Sequence, residues 1–271
     1  MDKTILITGA SSGIGYATAM HFYSKGWKVI TTVRDKKDRA IFQPKKDIGV
    51  YVLDIANRKT IGAVIGSIIE SVGRLDVLVN NAGLGVEGPL ETTKEEDIEE
   101  IVRVNVLGVF YLTRKIIEHF RTQGGGIIVN LSSTAGRTTF PFYALYHGTK
   151  WAVEGFSESL QYELAPLNIK VKIIEPGLIA TAFYEKMAAR VERVIPNDYK
   201  QLWSRLSASK ERIRKMSHSP DIVARAIYQA ATDGSWQLRY PVGIDARILI
   251  LARRLLPERV FFWLVQKSIG E

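Results

Sequence analysis

A tyrosine and a lysine spaced one helical turn apart give this chain a candidate acid–base site. Tyr146 and Lys150 lie four residues apart, and Ser133 stands thirteen residues before the tyrosine, after an apolar run. A free tyrosine has a pKa near ~10 and is a weak acid or base at neutral pH. A lysine ammonium on the same helix face favours the phenolate and is expected to lower that pKa. Alone, such a pair would more simply share a helix face, so the other motifs decide its interpretation.

A glycine-rich segment near the N-terminus adds a second element of chemistry. Gly9, Gly13 and Gly15 lie between an apolar strand-like run and a helical pattern. Glycines let the backbone approach a pyrophosphate closely, and the start of the next helix attracts its charge. The same segment fits the Gly-x-Ser-x-Gly pattern of serine hydrolases, with Ser11 as nucleophile and His218 as the best available base. Such a serine normally follows several strands and here would follow the first, so the dinucleotide interpretation is favoured.

Apolar strand-like runs alternate with helical patterns along the chain. The predicted strands are Thr4–Thr8, Lys28–Val33, Gly49–Leu53, Leu75–Asn80, Gly126–Leu131, Lys170–Glu175 and a short last strand near Gln237–Pro241. The predicted helices run from Ile14 to Gly26 and over Arg58–Val72, Glu95–Arg121, Trp151–Leu164 and Pro220–Thr232. Continuous apolar strands separated by helices are typical of a parallel sheet covered on both faces. The sequence therefore predicts one Rossmann-type, doubly wound α/β domain over residues 1–271, with a mostly parallel seven-stranded sheet.

Composition narrows the classes of function. The 271 residues include no cysteine, which excludes disulfides and thiolate catalysis, and the four histidines lack metal-ligand spacing, so no metal site is predicted. The net charge of +9 is compatible with nucleic acid, anionic lipid or anionic ligands. No basic tract with interleaved aromatic residues appears, so no nucleic-acid partner is predicted. The chain also lacks a signal-peptide pattern, which favours a cytoplasmic protein.

Six motifs, in order, resemble those of the short-chain dehydrogenase/reductase family in its Tyr-x-x-x-Lys form. They are Thr8-Gly9-x-x-x-Gly13-Ile14-Gly15, Asn80-Asn81-Ala82-Gly83, the helical Asn105, Ser133, the Tyr146 and Lys150 pair, and Pro176-Gly177-x-Ile179-x-Thr181. The stretch before Pro176 is also similar to that of hydroxysteroid and retinol dehydrogenases in this family. The resemblance implies an oxidoreductase that uses a nicotinamide dinucleotide to interconvert a carbonyl and an alcohol.

The resemblance implies a role for each catalytic candidate. Tyr146 would exchange a proton with the substrate oxygen, while Lys150 would lower the tyrosine pKa and bind the nicotinamide ribose. Ser133 would donate a hydrogen bond to the substrate carbonyl. Asn105 would hold a water that links Lys150 to solvent, although by itself it could simply bond within its helix. Together these four residues favour catalysis over an alternative from another class, a non-enzymatic dinucleotide sensor on the same fold.

The cofactor site implied by the resemblance spans most of the motifs. Its candidates are Gly9, Ser11, Ser12, Gly13, Ile14, Gly15, Arg34, Asp54, Ile55, Asn81, Ala82, Gly83, Tyr146, Lys150, Pro176, Gly177, Ile179 and Thr181. An NAD-preferring site carries an acid at the end of the second strand, where this chain has Val33 and then Arg34. A guanidinium pairs well with a 2′-phosphate, so NADP(H) is expected. Asp35 would favour NAD(H) if its carboxylate turned inward.

Apolar side chains surround the predicted reactive centre. They are Leu84, Val86, Phe140, Phe142, Tyr143, Leu145, Phe183, Tyr184 and Met187. A pocket of this kind suits a lipophilic carbonyl or alcohol, although several of these residues could equally belong to the core. Ser133, Tyr143 and Tyr146 are the candidates for substrate contact. Residues 178–219 form a long, partly helical segment that is expected to be a lid.

Two further segments concern partners. Family members usually pair through the helices predicted at Glu95–Arg121 and Trp151–Leu164, so the resemblance implies a homodimer. Residues 245–271 form an apolar tail dotted with arginines, and Pro257 divides it into two short helices. Its uncharged stretches are too short to span a bilayer. The tail is expected either to pack on the domain over the substrate cleft, which is favoured, or to lie on an anionic membrane.

Overall fold

The computed structural model describes residues 3–45, 47–190, 195–214 and 216–269, without the side chains of 211–214. Its seven-stranded sheet has the order β3-β2-β1-β4-β5-β6-β7, and every neighbouring pair is parallel. The strands are β1 (Thr4–Ile7), β2 (Lys28–Val33), β3 (Gly49–Val52), β4 (Val77–Asn80), β5 (Gly126–Leu131), β6 (Ile169–Pro176) and β7 (Arg239–Val242). The doubly wound α/β prediction is confirmed, because the strand order reverses between β1 and β4.

Helices cover both faces of this sheet. They are α1 (Gly13–Ser24), α2 (Arg58–Val72), α3 (Glu95–Val102), α4 (Val109–Thr122), α5 (Ala144–Leu164), α6 (Phe183–Ala188), α7 (Asn197–Arg214), α8 (Pro220–Thr232), α9 (Ile244–Leu255) and α10 (Glu258–Ser268). On one face, α1 and α8 bury Phe22 and Ile227 in a common apolar cluster. On the other face, α2 and α4 bury Ile65 and Leu112. The register sets Ile7 between Thr31 and Val79, so the loops after β1, β2 and β4 meet at one edge.

The single helix predicted over Glu95–Arg121 is divided in the structure, which corrects that prediction. A π-helical turn over Arg103–Gly108 separates α3 from α4. Gly108 permits this turn to lie against the chain after β3, since a Cβ there would come within 2.7 Å of Ile55 Cγ1. Single π-helical turns are frequent at functional sites, and Asn105 lies inside this one.

The remaining segments follow the prediction in outline. Helix α5 begins at Ala144, earlier than predicted, and therefore includes both Tyr146 and Lys150. The predicted lid contains α6 and α7, while its residues 191–194 and 215 lie outside the described part of the chain. The tail forms α9 and α10 on either side of Pro257, with 270 and 271 also outside that part. None of the helices in the described ranges combines the length and apolar character that crossing a bilayer requires.

Candidate active site

A cleft runs along the carboxyl-terminal edge of the sheet, at the point between β1 and β4 where the strand order reverses. The predicted residues that line it are Gly9, Ser11, Ser12, Gly13, Ile14, Arg34, Asp54, Ile55, Asn81, Ala82, Gly83, Ser133, Tyr146, Lys150, Pro176, Gly177, Ile179 and Thr181. Three predicted site residues do not line the cleft, namely Gly15, Asn105 and Tyr143. The motifs separated in sequence therefore converge on one site, because all of them follow the carboxyl ends of parallel strands.

The loop between β1 and α1 has the shape of a phosphate cradle. Gly9 has a φ of +65°, and a Cβ there would come within 2.8 Å of Ala82 Cα. Gly13 has a φ of +56°, which also favours glycine. Ser12, the N-cap of α1, makes no side-chain capping hydrogen bond, and it lines the cleft with Gly13 and Ile14 of the first helical turn. Close backbone and free N–H groups at a helix start fit the pyrophosphate of a dinucleotide.

Two cofactor candidates serve first to hold this cradle together. The Asn81 side-chain amide donates to the carbonyls of Thr8 and Gly9 at 2.8 and 3.0 Å, and the Thr8 hydroxyl accepts from the backbone N–H groups of Asn81 and Ala82. Gly15 lies behind the loop, where a Cβ would come within 2.5 Å of Asn81 Nδ2. Gly15 therefore sets the packing of the cradle rather than its surface.

Ser133, Tyr146 and Lys150 come together beside this cradle. Ser133 and Tyr146 both line the cleft, and the Ser133 hydroxyl donates to the Pro176 carbonyl at 3.4 Å. Lys150, one turn further along α5, is buried, and its Nζ donates to the Leu131 carbonyl at 2.7 Å and lies 5.8 Å from the Tyr146 ring centroid. The serine comes from the end of β5 and the other two from the start of α5. Substrate oxygen placed against Ser133 and Tyr146 would meet two hydroxyl donors at once.

The electrostatics of this group correct one expectation. Burial raises the pKa of Tyr146 above its ordinary value, and the Ser133 hydroxyl acts in the opposite direction. Burial also lowers the pKa of Lys150 to about 8, while the nearby Glu154 carboxylate acts to raise it. The lowering of the Tyr146 pKa expected from Lys150 is not found in the protein by itself. The lysine is itself desolvated and its ammonium is directed at a backbone carbonyl.

Asn105 lies beside the catalytic group without lining the cleft. Its side-chain oxygen accepts from the Leu84 N–H at 2.9 Å, and its Nδ2 donates to the Leu84 carbonyl at 2.8 Å and to the Thr149 hydroxyl at 3.1 Å. These bonds join the π-helical turn, the loop after β4 and the turn of α5 that precedes Lys150. In this structure Asn105 therefore fixes three segments of the site, and the resemblance-based role in a water relay stays a prediction.

Tyr143 does not meet the expectation that it lines the substrate pocket. Burial, followed by the nearby Glu87 carboxylate, raises the Tyr143 pKa. Glu87 is 6% exposed and pairs with Lys210 of α7 at 2.7 Å. The Lys210 ammonium also lies 5.2 Å from the Tyr143 ring centroid and 4.8 Å from that of Trp203. Tyr143 thus belongs to an ion-pair cluster that joins the lid helix to the body.

The apolar set divides between the cleft and its surroundings. Leu84, Phe183, Tyr184 and Met187 line the cleft, and the Phe183 and Tyr146 ring centroids are 5.5 Å apart. Val86, Phe142 and Leu145 line a smaller neighbouring pocket instead. Phe140 packs near His147, with ring centroids 6.2 Å apart. The substrate end is therefore formed largely by α6 and the loop after β4.

Several charged residues of the cleft were missed by sequence reasoning. Arg190 donates to Glu100 at 2.6 Å and to Asp97 at 2.9 Å, and Arg34 Nη1 lies 4.0 Å from Glu100. Lys186 lines the same cleft. These ion pairs hold the Glu100 pKa below its ordinary value, with the Arg190 hydrogen bond as the main cause. They join α3 to the end of α6 and match no short motif, so no sequence signal identified them.

A second cluster of charged residues, which the sequence analysis did not predict, joins α5 to β6 and β7. Glu154 and Glu175 are 4% and 1% exposed, and the charge of Glu154 acts on the Glu175 carboxyl group. Arg239 donates to Glu154 at 3.0 Å, and Arg137 and Arg239 lie 3.5 and 3.6 Å from Glu175. Burial, followed by the Glu154 charge, raises the pKa of Glu175 to about 7. Two like carboxyl groups this close share a proton more readily than they both ionise.

The alternative based on Ser11 finds no support in the geometry. Ser11 lines the cleft, but His218 does not. The His218 ring instead faces Asp245, with Nε2 3.3 Å from the Asp245 carboxylate. The histidine proposed as the catalytic base therefore belongs to a different contact, at the start of α9.

The fold and the site together define a class of protein. A doubly wound sheet, a glycine cradle at its switch point and a serine–tyrosine–lysine group beside it define a dinucleotide-dependent oxidoreductase. A family model for short chain dehydrogenases matches residues 3–192. The chain belongs to the short-chain dehydrogenase/reductase family, as the six motifs predicted.

Known relatives agree with this assignment. The chain is 40% identical over 238 residues to an uncharacterized oxidoreductase of Schizosaccharomyces pombe, a match that covers 88% of this chain and all of the relative. It is 33% identical to 17-beta-hydroxysteroid dehydrogenase type 1 of Homo sapiens over 256 residues, which cover 89% of this chain and 77% of that protein. The protein is therefore an NAD(P)-dependent dehydrogenase or reductase.

Solved structures show the same fold and bind either nicotinamide dinucleotide. A short-chain dehydrogenase from Streptomyces avermitilis superposes with a TM-score of 0.80 at 29% identity, over 98% of this chain and 96% of that one. ElxO with NADP bound has a TM-score of 0.72 at 31% identity, with coverages of 86% and 92%. A 3-ketoacyl-(acyl-carrier-protein) reductase from Brucella melitensis, complexed with NADH, has a TM-score of 0.75 at 28% identity, with coverages of 90% and 98%.

Proposed function

We propose that this protein is an NADP(H)-dependent oxidoreductase that interconverts the carbonyl and alcohol forms of a lipophilic small molecule. The observation that carries the proposal is that Ser133 and Tyr146 line the same cleft, with buried Lys150 one turn behind. The glycine cradle and the lining of the cleft fit a dinucleotide. If Ser133, Tyr146 and Lys150 prove inactive in catalysis, the second candidate is a non-enzymatic dinucleotide sensor on the same fold.

The chain's own residues perform the acid–base part of the reaction. When bound, the dinucleotide supplies or accepts the hydride. Ser133 donates a hydrogen bond to the substrate oxygen, where negative charge develops during reduction. Tyr146 transfers its phenolic proton to the same oxygen, and burial keeps that proton in place until the oxygen becomes basic. Lys150, with a pKa of about 8, carries a proton at neutral pH that can replace the one lost by Tyr146.

The substrate class rests on the side chains at the nicotinamide end of the cleft. Leu84, Phe183 and Met187 line it, and Tyr184 adds an aromatic ring whose hydroxyl pKa is raised to about 12 by burial. A Cβ on Gly85 would collide with Met187 and come within 3.0 Å of Phe183 Cζ, so the lid packs closely on the loop after β4. Such a surface favours apolar substrate groups around a single reacting oxygen. Residues 178–219 act as the lid of the one catalytic domain.

The preference for NADP(H) rests on Arg34. Its side chain is 65% exposed within the cleft and 4.0 Å from the nearest carboxylate oxygen, so it is free to turn to a 2′-phosphate. Asp35 also lines the cleft, so the two cofactors are to be compared directly.

We further propose that the protein is cytoplasmic and forms a homodimer. The dimer is supported by the predicted pairing helices, on which Leu107 and Trp151 are 38% and 46% exposed.

Replacing Tyr146 with phenylalanine tests the catalytic assignment. We expect Tyr146→Phe to lose at least 100-fold in kcat, the usual contribution of a positioned acid, while NADPH still binds. Reduction of a panel of ketones and aldehydes, followed by NADPH absorbance, measures kcat, and NADPH fluorescence measures binding. The control is Tyr162→Phe, because Tyr162 lies on the same helix and is 73% exposed. Near-normal turnover by Tyr146→Phe would refute the assignment.

A further inference from the structure

The C-terminal helices present an apolar surface that nothing in the described chain covers. On α9, Ile244, Ile248, Leu251 and Leu255 are spaced by three or four residues and are 55–69% exposed. On α10, Val260, Trp263 and Leu264 share one helix face and are 41–50% exposed. We call these seven side chains the tail stripe. Exposed large apolar residues at helical spacing are unusual unless they mark an interaction surface.

The opposite side of the tail is packed against the protein. Ala246, Phe261 and Ile269 are 0%, 2% and 6% exposed. Asp245 fixes the start of α9, since its carboxylate accepts a hydrogen bond from the Leu178 N–H at 2.7 Å. The helices are therefore held in place by one face, and the tail stripe is what they present outward. The tail packs on the domain as expected, but none of its described residues lines the cleft, and the apolar stripe faces solvent.

Cations surround the tail stripe. Residues 244–269 contain five basic side chains and two acidic ones. Arg253 lies 5.2 and 5.3 Å from the Phe261 and Phe262 ring centroids, and Lys267 lies 4.3 Å from that of Trp263. Glu258 pairs with Arg253 at 3.1 Å, and the Asp245 carboxylate faces the body of the protein, where it accepts from the Leu178 N–H. Because basic side chains outnumber acidic ones, the net charge of the segment is positive.

We infer that the tail stripe docks on the surface of an anionic phospholipid bilayer. Apolar and aromatic side chains of helices in this arrangement enter the boundary between headgroups and acyl chains, and arginines bind the lipid phosphates. A second copy of the chain fits less well. A two-fold interface would set the same patch against itself and bring its unpaired arginines together.

The location of the stripe links it to the cleft. Asp245, adjacent to Ile244, packs its carboxylate against Gly177, which lines the cleft. The membrane-facing surface thus begins next to the loop that follows β6. Only the consequence for substrate rests on the proposed function: a lipophilic substrate dissolved in the bilayer would reach the cleft without crossing bulk water. Membrane docking itself does not depend on the reaction.

Vesicle flotation of the full-length protein tests the inference. The probes are vesicles of phosphatidylcholine alone and of phosphatidylcholine with phosphatidylserine. We expect wild type to float with the anionic vesicles, and Ile248→Gln/Leu251→Gln to bind them at least roughly tenfold more weakly, because two exposed apolar groups are lost. The matched control is Leu90→Gln/Tyr162→Gln, whose residues are 55% and 73% exposed elsewhere on the surface. This control should bind like wild type.

Three results would overturn the inference. One is wild-type protein that ignores anionic vesicles, and another is stripe and control variants that bind equally. The third is a stripe variant that changes only the sedimentation of the protein, because a second copy would then be the occupant. Carbonyl reductase activity measured with a water-soluble ketone and no vesicles reports on the proposed function separately. Both variants should keep that activity, so the two proposals fail independently.

Discussion

The pKa values of single residues in this site depend mainly on burial, and neighbouring polar groups act in the opposite direction. Burial keeps the Tyr146 phenol protonated, the form that donates to a carbonyl oxygen, and the same burial brings the Lys150 pKa down to about 8. Both groups therefore hold a proton at neutral pH, as the proposed reduction of a carbonyl requires. In the proposed mechanism Ser133 donates to the same substrate oxygen as Tyr146.

At this scale, cofactor preference is a prediction about Arg34. Arg34→Ala removes a charge-assisted contact to the 2′-phosphate, worth roughly 1.5–3 kcal/mol, so kcat/KM with NADPH should fall about 10- to 150-fold. The value with NADH should change little. Arg121→Ala serves as the control, because Arg121 does not line the cleft. Equal kcat/KM values for NADPH and NADH in wild type would contradict the NADP(H) preference.

Glu175 gives a prediction about stability and pH. Its pKa in the folded protein is raised to about 7 from an ordinary value of 4.5, so the folded state favours the protonated form. The stability gained in this way is complete below about pH 4.5 and is lost as the pH rises through about 7. Glu175→Gln keeps the neutral form at every pH and should gain about 1–3 kcal/mol relative to wild type between pH 5.5 and 8.5.

Urea unfolding at those two pH values measures the effect. The exposed Glu118→Gln on α4 is the control and should follow the pH dependence of wild type. A free energy of unfolding that falls with pH as steeply in Glu175→Gln as in wild type would show that the carboxyl pair does not titrate as argued.

Motif residues were predictable because each performs a local task that few residue types can do. Gly9 needs a positive φ, and Tyr146 and Lys150 need one helical turn between them. Arg190 and Glu100 were not predictable, because neither has a local signature and their pairing exists only once α3 and α6 face each other. Tyr143 was assigned to the pocket from its nearness in sequence, whereas its ring lies under the Lys210 ammonium of α7 and does not line the cleft.

Secondary-structure elements carry the site through a few specific ties. Residues after β1 to β6 and the start of α5 line the cleft, and ion pairs join the predicted lid to α3 and to Glu87. The strand ends were predicted to within two residues because parallel strands read as continuous apolar runs. The π-helical turn was not predicted, since a one-residue insertion barely changes the hydrophobic period of a long helix. The break between α9 and α10 at Pro257 was predicted, because proline cannot continue a helix.

The ion pair between Lys210 of α7 and Glu87 gives the prediction at the scale of secondary-structure elements. Lys210→Met leaves the Glu87 carboxylate buried without its cation, and loss of one partner of a buried pair commonly costs about 3–5 kcal/mol. We expect faster hydrogen exchange in α7, with the sheet unchanged. Lys210→Met/Glu87→Gln should restore part of the protection, because no buried charge is then left unpaired. Lys200→Met, at an exposed position of the same helix, is the control, and equal exchange in both single variants would refute the tie.

At the scale of the whole molecule, two exposed apolar surfaces point to two different partners. The tail stripe is surrounded by cations, which suits anionic lipid. The face around Leu107 and Trp151 lies on the helices where family members pair, and its Phe110 and Phe156 rings stack at 4.0 Å. A protein that forms a two-fold dimer through the second face would keep both of its tail stripes free. The two surfaces can therefore be separated by substitution.

The dimer prediction is tested by substituting each of the two apolar surfaces separately. Wild type should sediment at twice the 30.4 kDa mass of one chain at micromolar concentration. Leu107→Glu/Trp151→Glu sets four carboxylates against one another across a two-fold axis, so it should sediment as a single chain. Leu251→Gln on the tail stripe should leave the dimer intact. A single-chain species in wild type would refute the dimer, and dissociation by Leu251→Gln would move the interface to the tail, where it would compete directly with the membrane.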